Sequence, residues 1–366
     1  MRDNFGTCQR CGSERIMNWG SNKSGSKRVR CKDCGKTMSP DGFSAPGGGI
    51  SRTTTLYDSD GGVRLQWVRE DDTQDKLEAL REAAADIASM VPEREKTLLQ
   101  NKPGALDDLL AVYPVGDYHF GMLAWWRESG ESYDCNIAAE RLRDAFSHLV
   151  GVDDACDHAL IVMMGDVLHA NDNTGVTPAN KHRLDTDGRW PKVVRRAIVS
   201  IVTVLDLALE HYASVDVMWK RGNHDPDSGL MLGEIIRAWY RNEPRINITI
   251  DPSQRSYMLF GKVLIGATHG DKERTASKLP LLMAAEEPEL WGRSKHRHIF
   301  MGHYHKAQTE ELPGCTVETV RAISPRDAYA SGAGYLSHQA LTKVIFSKDV
   351  GEVERLTYGF NTRKEE

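Results

Sequence analysis

Five short motifs rich in Asp, Asn and His punctuate the chain. They are Gly116-Asp117-Tyr118-His119, Gly165-Asp166, Gly222-Asn223-His224-Asp225, Thr268-His269-Gly270-Asp271 and Gly302-His303-Tyr304-His305. Carboxylate, amide and imidazole donors suit Mn²⁺, Fe, Zn²⁺ or Mg²⁺ better than an all-thiolate cluster. Asp117 and His119 are two apart, as are His303 and His305, so an extended backbone would turn both members of each pair to one side. A second set of ligands stands at the N-terminus. Cys8-x-x-Cys11 and Cys31-x-x-Cys34 have the spacing of a four-cysteine structural zinc site. Gly12 and Gly35 follow the pairs, where a tight turn needs a permissive backbone.

These residues need elements to hold them. Each Asp/Asn/His motif comes just after a short apolar run: Leu110 to Val115, Ala159 to Met164, Val215 to Trp219, Val263 to Ala267 and Ile299 to Met301. Runs of this kind read as buried strands, and α/β sheets build their sites at strand C-terminal ends. Helices are predicted between them at Ile137 to Val150 and Lys192 to His211. In the second, Val194, Ala197, Ile198, Ile201, Leu205 and Ala208 share one face, which is expected to point inward. Strand–helix–strand alternation predicts an α/β layered domain. Thr316 to Ile323, Leu341 to Phe346 and Val353 to Tyr358 are expected to add β-structure to it. Residues 41–66, rich in Gly, Ser, Thr and Asp, read as a flexible linker. An amphipathic helix is predicted from about Asp72 to Met90. The resulting division is 1–40, 41–108 (linker and helix) and 109–366.

Composition narrows the class. The chain has 366 residues, 40% hydrophobic and 27% charged, which excludes collagen-like, disordered and membrane classes for the whole. The main apolar stretch, Ala197 to Leu205, stops at Asp206, too soon to span a bilayer. The opening Met-Arg-Asp-Asn lacks an apolar signal core, so a cytoplasmic protein is expected. Seven cysteines, with Cys135, Cys156 and Cys315 scattered, suggest no disulfide framework and agree with that compartment. Net charge is −5, but it is unevenly divided. Residues 1–40 hold nine Lys/Arg against three acids, a formal +6, leaving −11 for the rest. A basic module on an acidic domain keeps a nucleic-acid partner open.

The ordered set of motifs over about residues 110–310 is similar to the calcineurin-like metallophosphoesterase superfamily, whose pattern runs D-x-H, GD, GNH(D/E), H, GHxH. That resemblance implies a β-sandwich flanked by helices and a two-metal site. It implies that Asp117, His119 and His305 hold one metal, that Asn223, His269 and His303 hold the other, and that Asp166 bridges them. It assigns His224 to the phosphate and the leaving group. The implied reaction is phosphoester hydrolysis by a metal-activated hydroxide, with Mn²⁺ the first choice of metal.

The form Gly165-Asp166-Val167-Leu168-His169 looks like the SbcD-type exonuclease branch, whereas protein phosphatases carry GDxVDRG and GNHE. His169 would then contact the substrate phosphate or support a metal ligand. "DTDGRW", "ATHGD" and "SPRDAYA" resemble segments of phage-type metallophosphoesterases described as DNA repair exonucleases. Lys181, His182 and Arg189, in the polar loop Asn171 to Trp190, are candidate phosphate contacts, with a solvated loop the competing reading. Residues from Cys8 to Ser39 resemble the zinc ribbon of transposase-associated proteins, which implies one structural Zn²⁺ and either DNA contact or protein docking. The expected function is a metal-dependent nuclease acting on DNA, with no membrane partner. The alternatives are a phosphatase or cyclic-nucleotide phosphodiesterase for small esters, and a DNA-binding protein with a vestigial metal site.

Overall fold

In the computed structural model, the strands that carry the motifs lie in two sheets. It describes residues 8, 10–21, 27–38, 50–57, 63–70, 106–152, 155–273, 275–327, 331, 332, 334 and 337–361; for 50–57 and 63–70 it describes the backbone alone. The chain divides into two units, Met1–Ser89 and Met90–Glu366.

The first unit opens with three antiparallel strands, β1 (Ile16–Ser21), β2 (Lys27–Cys31) and β3 (Thr37–Met38). A second antiparallel pair follows, β4 (Ile50–Tyr57) with β5 (Val63–Glu70). This pair corrects the reading of residues 41–66 as linker. Thr53, Thr55 and Tyr57, and then Val63, Leu65 and Trp67, are strand-favouring residues at two-residue spacing on either side of an Asp/Gly cluster, which is the composition of a hairpin. The helix expected at 72–90 lies outside the described residues.

In the second unit, β6 (Leu106–Val115), β7 (Cys156–Met163), β8 (Ser214–Trp219) and β9 (Ile246–Ile250) run parallel in that order. Strands β15 (Ala340–Ser347) and β16 (Gly351–Gly359) extend the same sheet antiparallel on the β6 side. The other sheet has the order β10 (Arg255–Phe260), β11 (Val263–Thr268), β12 (His296–Met301), β14 (Cys315–Thr319), β13 (Gln308–Leu312). Its three central strands are parallel and its edges antiparallel.

The two sheets stack, because side chains alternate along a strand. Leu110, Val112, Leu160 and Val162 from one sheet meet Val263, Ile265, Ala267 and Phe300 from the other in a buried core. The opposite parity faces helices. Tyr113 stacks on Phe146 of α1 (Cys135–Gly151), ring centroids 4.9 Å apart. Leu264, Ile299 and Met301 form a second core with Leu279 and Met283 of α3 (Leu279–Glu286). The result is a β-sandwich with helices on both outer faces, as the resemblance implied. Helix α2 (Trp190–His211) buries Ala197, Ile198, Ile201, Leu205 and Ala208 as expected, together with Val193 in place of the half-buried Val194.

Local chemistry sets the helix ends. The Asp134 carboxylate accepts from Asn136 N and Ile137 N at the start of α1, a cap contributing about 1 kcal/mol. At its far end, the fully buried Lys343 of β15 donates to Leu149 O at 2.6 Å. A cation there complements the helix dipole. Among the described residues, no helix is long and apolar enough to cross a membrane.

Candidate metal centre

Each of the five motifs leaves the C-terminal end of a strand: β6, β7, β8, β11 and β12. Asp117, Asp166 and His269 are at most 1% exposed, and His119 and His169 are also buried. The carboxylates are pinned by the neighbouring motifs. Asp166 Oδ1 accepts from His224 N at 2.7 Å, and Asp117 Oδ2 accepts from His303 N at 2.8 Å. His305 Nε2 lies 3.3 Å from Asp117 Oδ1 and 3.4 Å from His119 Nε2. His269 Nε2 lies 3.4 Å from Asp166 Oδ2 and 2.9 Å from Asn223 Oδ1. Its Nδ1–H donates to Met164 O at 2.9 Å, which fixes Nε2 as the inward nitrogen.

The backbone bends to achieve this. Five non-glycine residues among those described have positive φ, and four are His119, Asp166, His303 and His305, at 46° to 68°. The fifth is Lys181. The expectation that D-x-H and H-x-H are extended is therefore corrected. Left-handed turns, not strand alternation, bring each pair together. Such positions cost about 1–3 kcal/mol each and persist where the surroundings over-determine them.

The donor set fits metal ions. Asp117, His119 and His305 offer ligand atoms within 4.8 Å of one another, and so do Asp166, His269 and His303. The buried Asp117 Oδ1 has no hydrogen-bond partner, since His305 is close but not aimed at it. A cation among these donors would satisfy that oxygen, which is otherwise costly to bury. Burial, followed by the neighbouring His224 ring, holds the His119 imidazole well below its ordinary range. Burial pushes His169 down to about 3. Both rings are then neutral, the form a ligand or its support must have. At Asp166, burial works to raise the carboxyl, and the adjacent His269 and other imidazoles bring it well below the usual range.

His169 and His224 complete the wall. His169 Nδ1 is 3.4 Å from His119 Nδ1, so it backs the ring of a candidate ligand. The His224 ring is centred 4.6 Å from that of His119, and its Nδ1–H donates to His169 O at 2.9 Å. The cleft over the site has a volume of about 680 Å³. Lys181, His182 and Arg189 are exposed and are not among its lining residues. Lys306, Ser324, Arg326 and Gln339 are.

The segment that holds Ser324 and Arg326 carries none of the Asp/Asn/His motifs, yet it lines the cleft. Ser324 Oγ donates to Asp117 O at 2.9 Å and Arg326 Nε to Ser129 O at 2.6 Å, so the segment is tied to the site. The Ser-Pro break directly after Ile323 is the signal that marks it. Asp225 was also passed over. Fully buried, it accepts from Leu168 N and Gly222 N and so joins two motif loops. Burial, then Asp166, pushes its carboxyl up to about 8. His298, on the neighbouring strand β12, is buried and lies 3.1 Å from Glu318 Oε2.

The four N-terminal cysteines converge as well. Cys8 Sγ is 3.5 Å from Cys34 Sγ, and Cys11 Sγ is 3.6 Å from Cys31 Sγ, with no disulfide formed. Tetrahedral thiolates around zinc stand about 3.8 Å apart. The turns match: Gly12 N donates to Cys8 O and Gly35 N to Cys31 O, with φ of +71° and +72°. The Cys34 backbone N–H, foremost, pulls the Cys31 thiol down to about 6, toward the thiolate that binds metal.

No family model and no curated protein matches this chain. Solved structures do. A dimetal phosphatase from Danio rerio is 12% identical, over 69% of this chain and 99% of that one, with a TM-score of 0.37. Vps29 complexed with zinc from Entamoeba histolytica is 12% identical over 69% and 99%, at 0.30. A 5′-nucleotidase precursor from Thermus thermophilus is 13% identical over 69% and 54%, at 0.31. Likenesses at this level carry no argument about chemistry, which rests on the site.

Proposed function

We propose that this chain is a two-metal phosphoester hydrolase that cuts phosphodiester bonds in nucleic acid, DNA first. One observation carries the reading. Two buried carboxylates, an amide and a set of imidazoles meet at one cleft, with Asp117 Oδ1 left without a hydrogen-bond partner. Asp117, His119 and His305 would hold one ion, and Asn223, His269 and His303 the other. Asp166 faces both sets, with Oδ2 3.9 Å from His119 Nε2 and 3.4 Å from His269 Nε2. Such ions, Mn²⁺ in this reading with Fe, Zn²⁺ or Mg²⁺ as substitutes, supply Lewis acidity toward a phosphoryl oxygen and a nucleophilic water at neutral pH.

The remaining work belongs to side chains. The Nδ1–H of His224 is engaged by His169 O, so the imidazolium form of the ring, protonated at Nε2 as well, would give that second proton to the departing oxygen and be left as the Nδ1–H neutral ring. His169 orients the His119 ring through Nδ1. Lys306 and Arg326 on the cleft wall offer positive charge to a phosphodiester anion. Nucleic acid as substrate is supported by His169 in its GDxxH setting and by the basic residues 1–40. There the four thiolates would take one Zn²⁺, which folds so small a segment.

The test is an assay of purified protein with Mn²⁺ on labelled single- and double-stranded DNA, beside a chromogenic phosphodiester and a phosphomonoester. DNA cleavage that disappears in Asp166→Asn and His224→Gln is expected. Good turnover of a small ester with no DNA cut would overturn the substrate class.

A further inference from the structure

Between helices α1 and α2 lies a groove of about 560 Å³, away from the metal ligands. Four cations line it, Arg143, Lys192, Arg195 and Arg196, and no acid does. Lys192, Arg195 and Arg196 stand three and four apart on α2, and Val199 and Thr203 continue the same stripe. Arg143 faces them from α1. At the margins, Arg143 donates to Asp144 Oδ1, and Arg196 reaches Asn136 Oδ1 and lies 3.8 Å from Asp187.

The groove is joined to the metal centre. Trp190, the first residue of α2, donates from Nε1 to Ala170 O, next to His169. Lys192 is two residues further on, and the stripe then runs about 16 Å along the helix to Thr203. On the groove floor, Ser200 Oγ shares a 2.8 Å hydrogen bond with the hydroxyl of Tyr118, which sits between Asp117 and His119. Four cations around one groove exceed what a single phosphate can use. A chain of phosphates leaving the cleft would meet them in turn.

We infer that this groove is a backbone track for a nucleic-acid strand whose scissile phosphate lies in the metal cleft. The inference rests on the proposed nuclease reading and sharpens it: the preferred substrate is a strand long enough to reach the groove. Binding there is electrostatic and independent of sequence.

The experiment compares wild type with the double variant Lys192→Ala/Arg195→Ala and with Arg241→Ala, which removes one charge from an exposed site outside the groove. Labelled single-stranded oligonucleotides of increasing length are cleaved with Mn²⁺ over a range of salt, beside a small chromogenic phosphodiester. For wild type and Arg241→Ala, KM falls as the strand lengthens. In the double variant, KM for long strands rises roughly tenfold at low salt, and the slope of log affinity against log salt becomes shallower by about 1.4 for two lost single-strand contacts. Its turnover of the small diester, too short to span the distance, stays near wild type. If wild type cuts long strands and the double variant keeps both the length dependence and the salt slope, the track is overturned while the nuclease reading stands. If wild type hydrolyses the small diester but cuts no strand of any length, the nuclease reading falls and takes the track with it.

Discussion

Gly222 is where a single atom decides the site. A Cβ built on it would stand 1.9 Å from Asp166 Oδ1, the oxygen that accepts from His224 N. Gly222→Ala must therefore move the carboxylate that faces both ligand sets. Turnover of a small phosphodiester should drop about a hundredfold or more, since displacements near 1 Å have that effect. Bound Mn²⁺ should fall with it, while thermal unfolding shifts only modestly. Near-normal activity would mean that Asp166 does not sit where catalysis needs it. At this scale the convergence of Asp117, His119 and His305, and of Asp166, His269 and His303, was legible, because residue type and order carried it. The left-handed turns at His119, His303 and His305 were not, since no local sequence rule asks a histidine to adopt positive φ. Asp225 stayed hidden for a related reason: its role is to accept two distant backbone N–H groups.

At the scale of elements, the two sheets are tied by an ion network as well as by packing. Glu318 on β14 accepts from His298 on β12 and from Arg355 on β16, which belongs to the other sheet. Burial raises the Glu318 carboxyl, but His298 and Arg355 overcome that and bring it down to about 2 from an ordinary 4.5. A depressed carboxyl stabilises the fold above its unfolded value, and the contribution is lost as pH falls from about 4.5 toward 2. Glu318→Gln should cost about 3 kcal/mol near pH 7. Wild type and variant should converge in urea unfolding as the pH is lowered through that window. A pH-independent difference would mean that the carboxylate's charge is not what matters.

The central strands of both sheets were readable as apolar runs because both of their faces are buried. The edge strands β9, β10 and β13 carry mixed patterns and escaped. The pair β4/β5 lies in a stretch whose glycine and threonine content reads as linker, although the alternation of a hairpin is present there.

For the whole molecule, the uneven charge is the feature to test. Residues 1–40 carry a formal +6, and the rest of the chain −11. Among the described residues of this N-terminal segment, the Arg30 guanidinium lies 4.4 Å over the exposed Trp19 ring, a cation and an aromatic face of the kind on which a nucleic-acid strand can dock. Deleting residues 1–40 should weaken DNA binding steeply at low salt and leave hydrolysis of a small phosphodiester intact. Fluorescence anisotropy with labelled DNA reads the first and a chromogenic assay the second. Equal affinity with and without the segment would assign residues 1–40 to another role.

The claim on which the account depends is that the cleft holds two metal ions in the assigned ligand sets. Anomalous diffraction from crystals grown with Mn²⁺ measures this directly. The prediction is two peaks in the cleft, one against Asp117, His119 and His305 and one against Asn223, His269 and His303, with Asp166 reaching both. A single peak, or none at these residues with Mn²⁺ in excess, would contradict it.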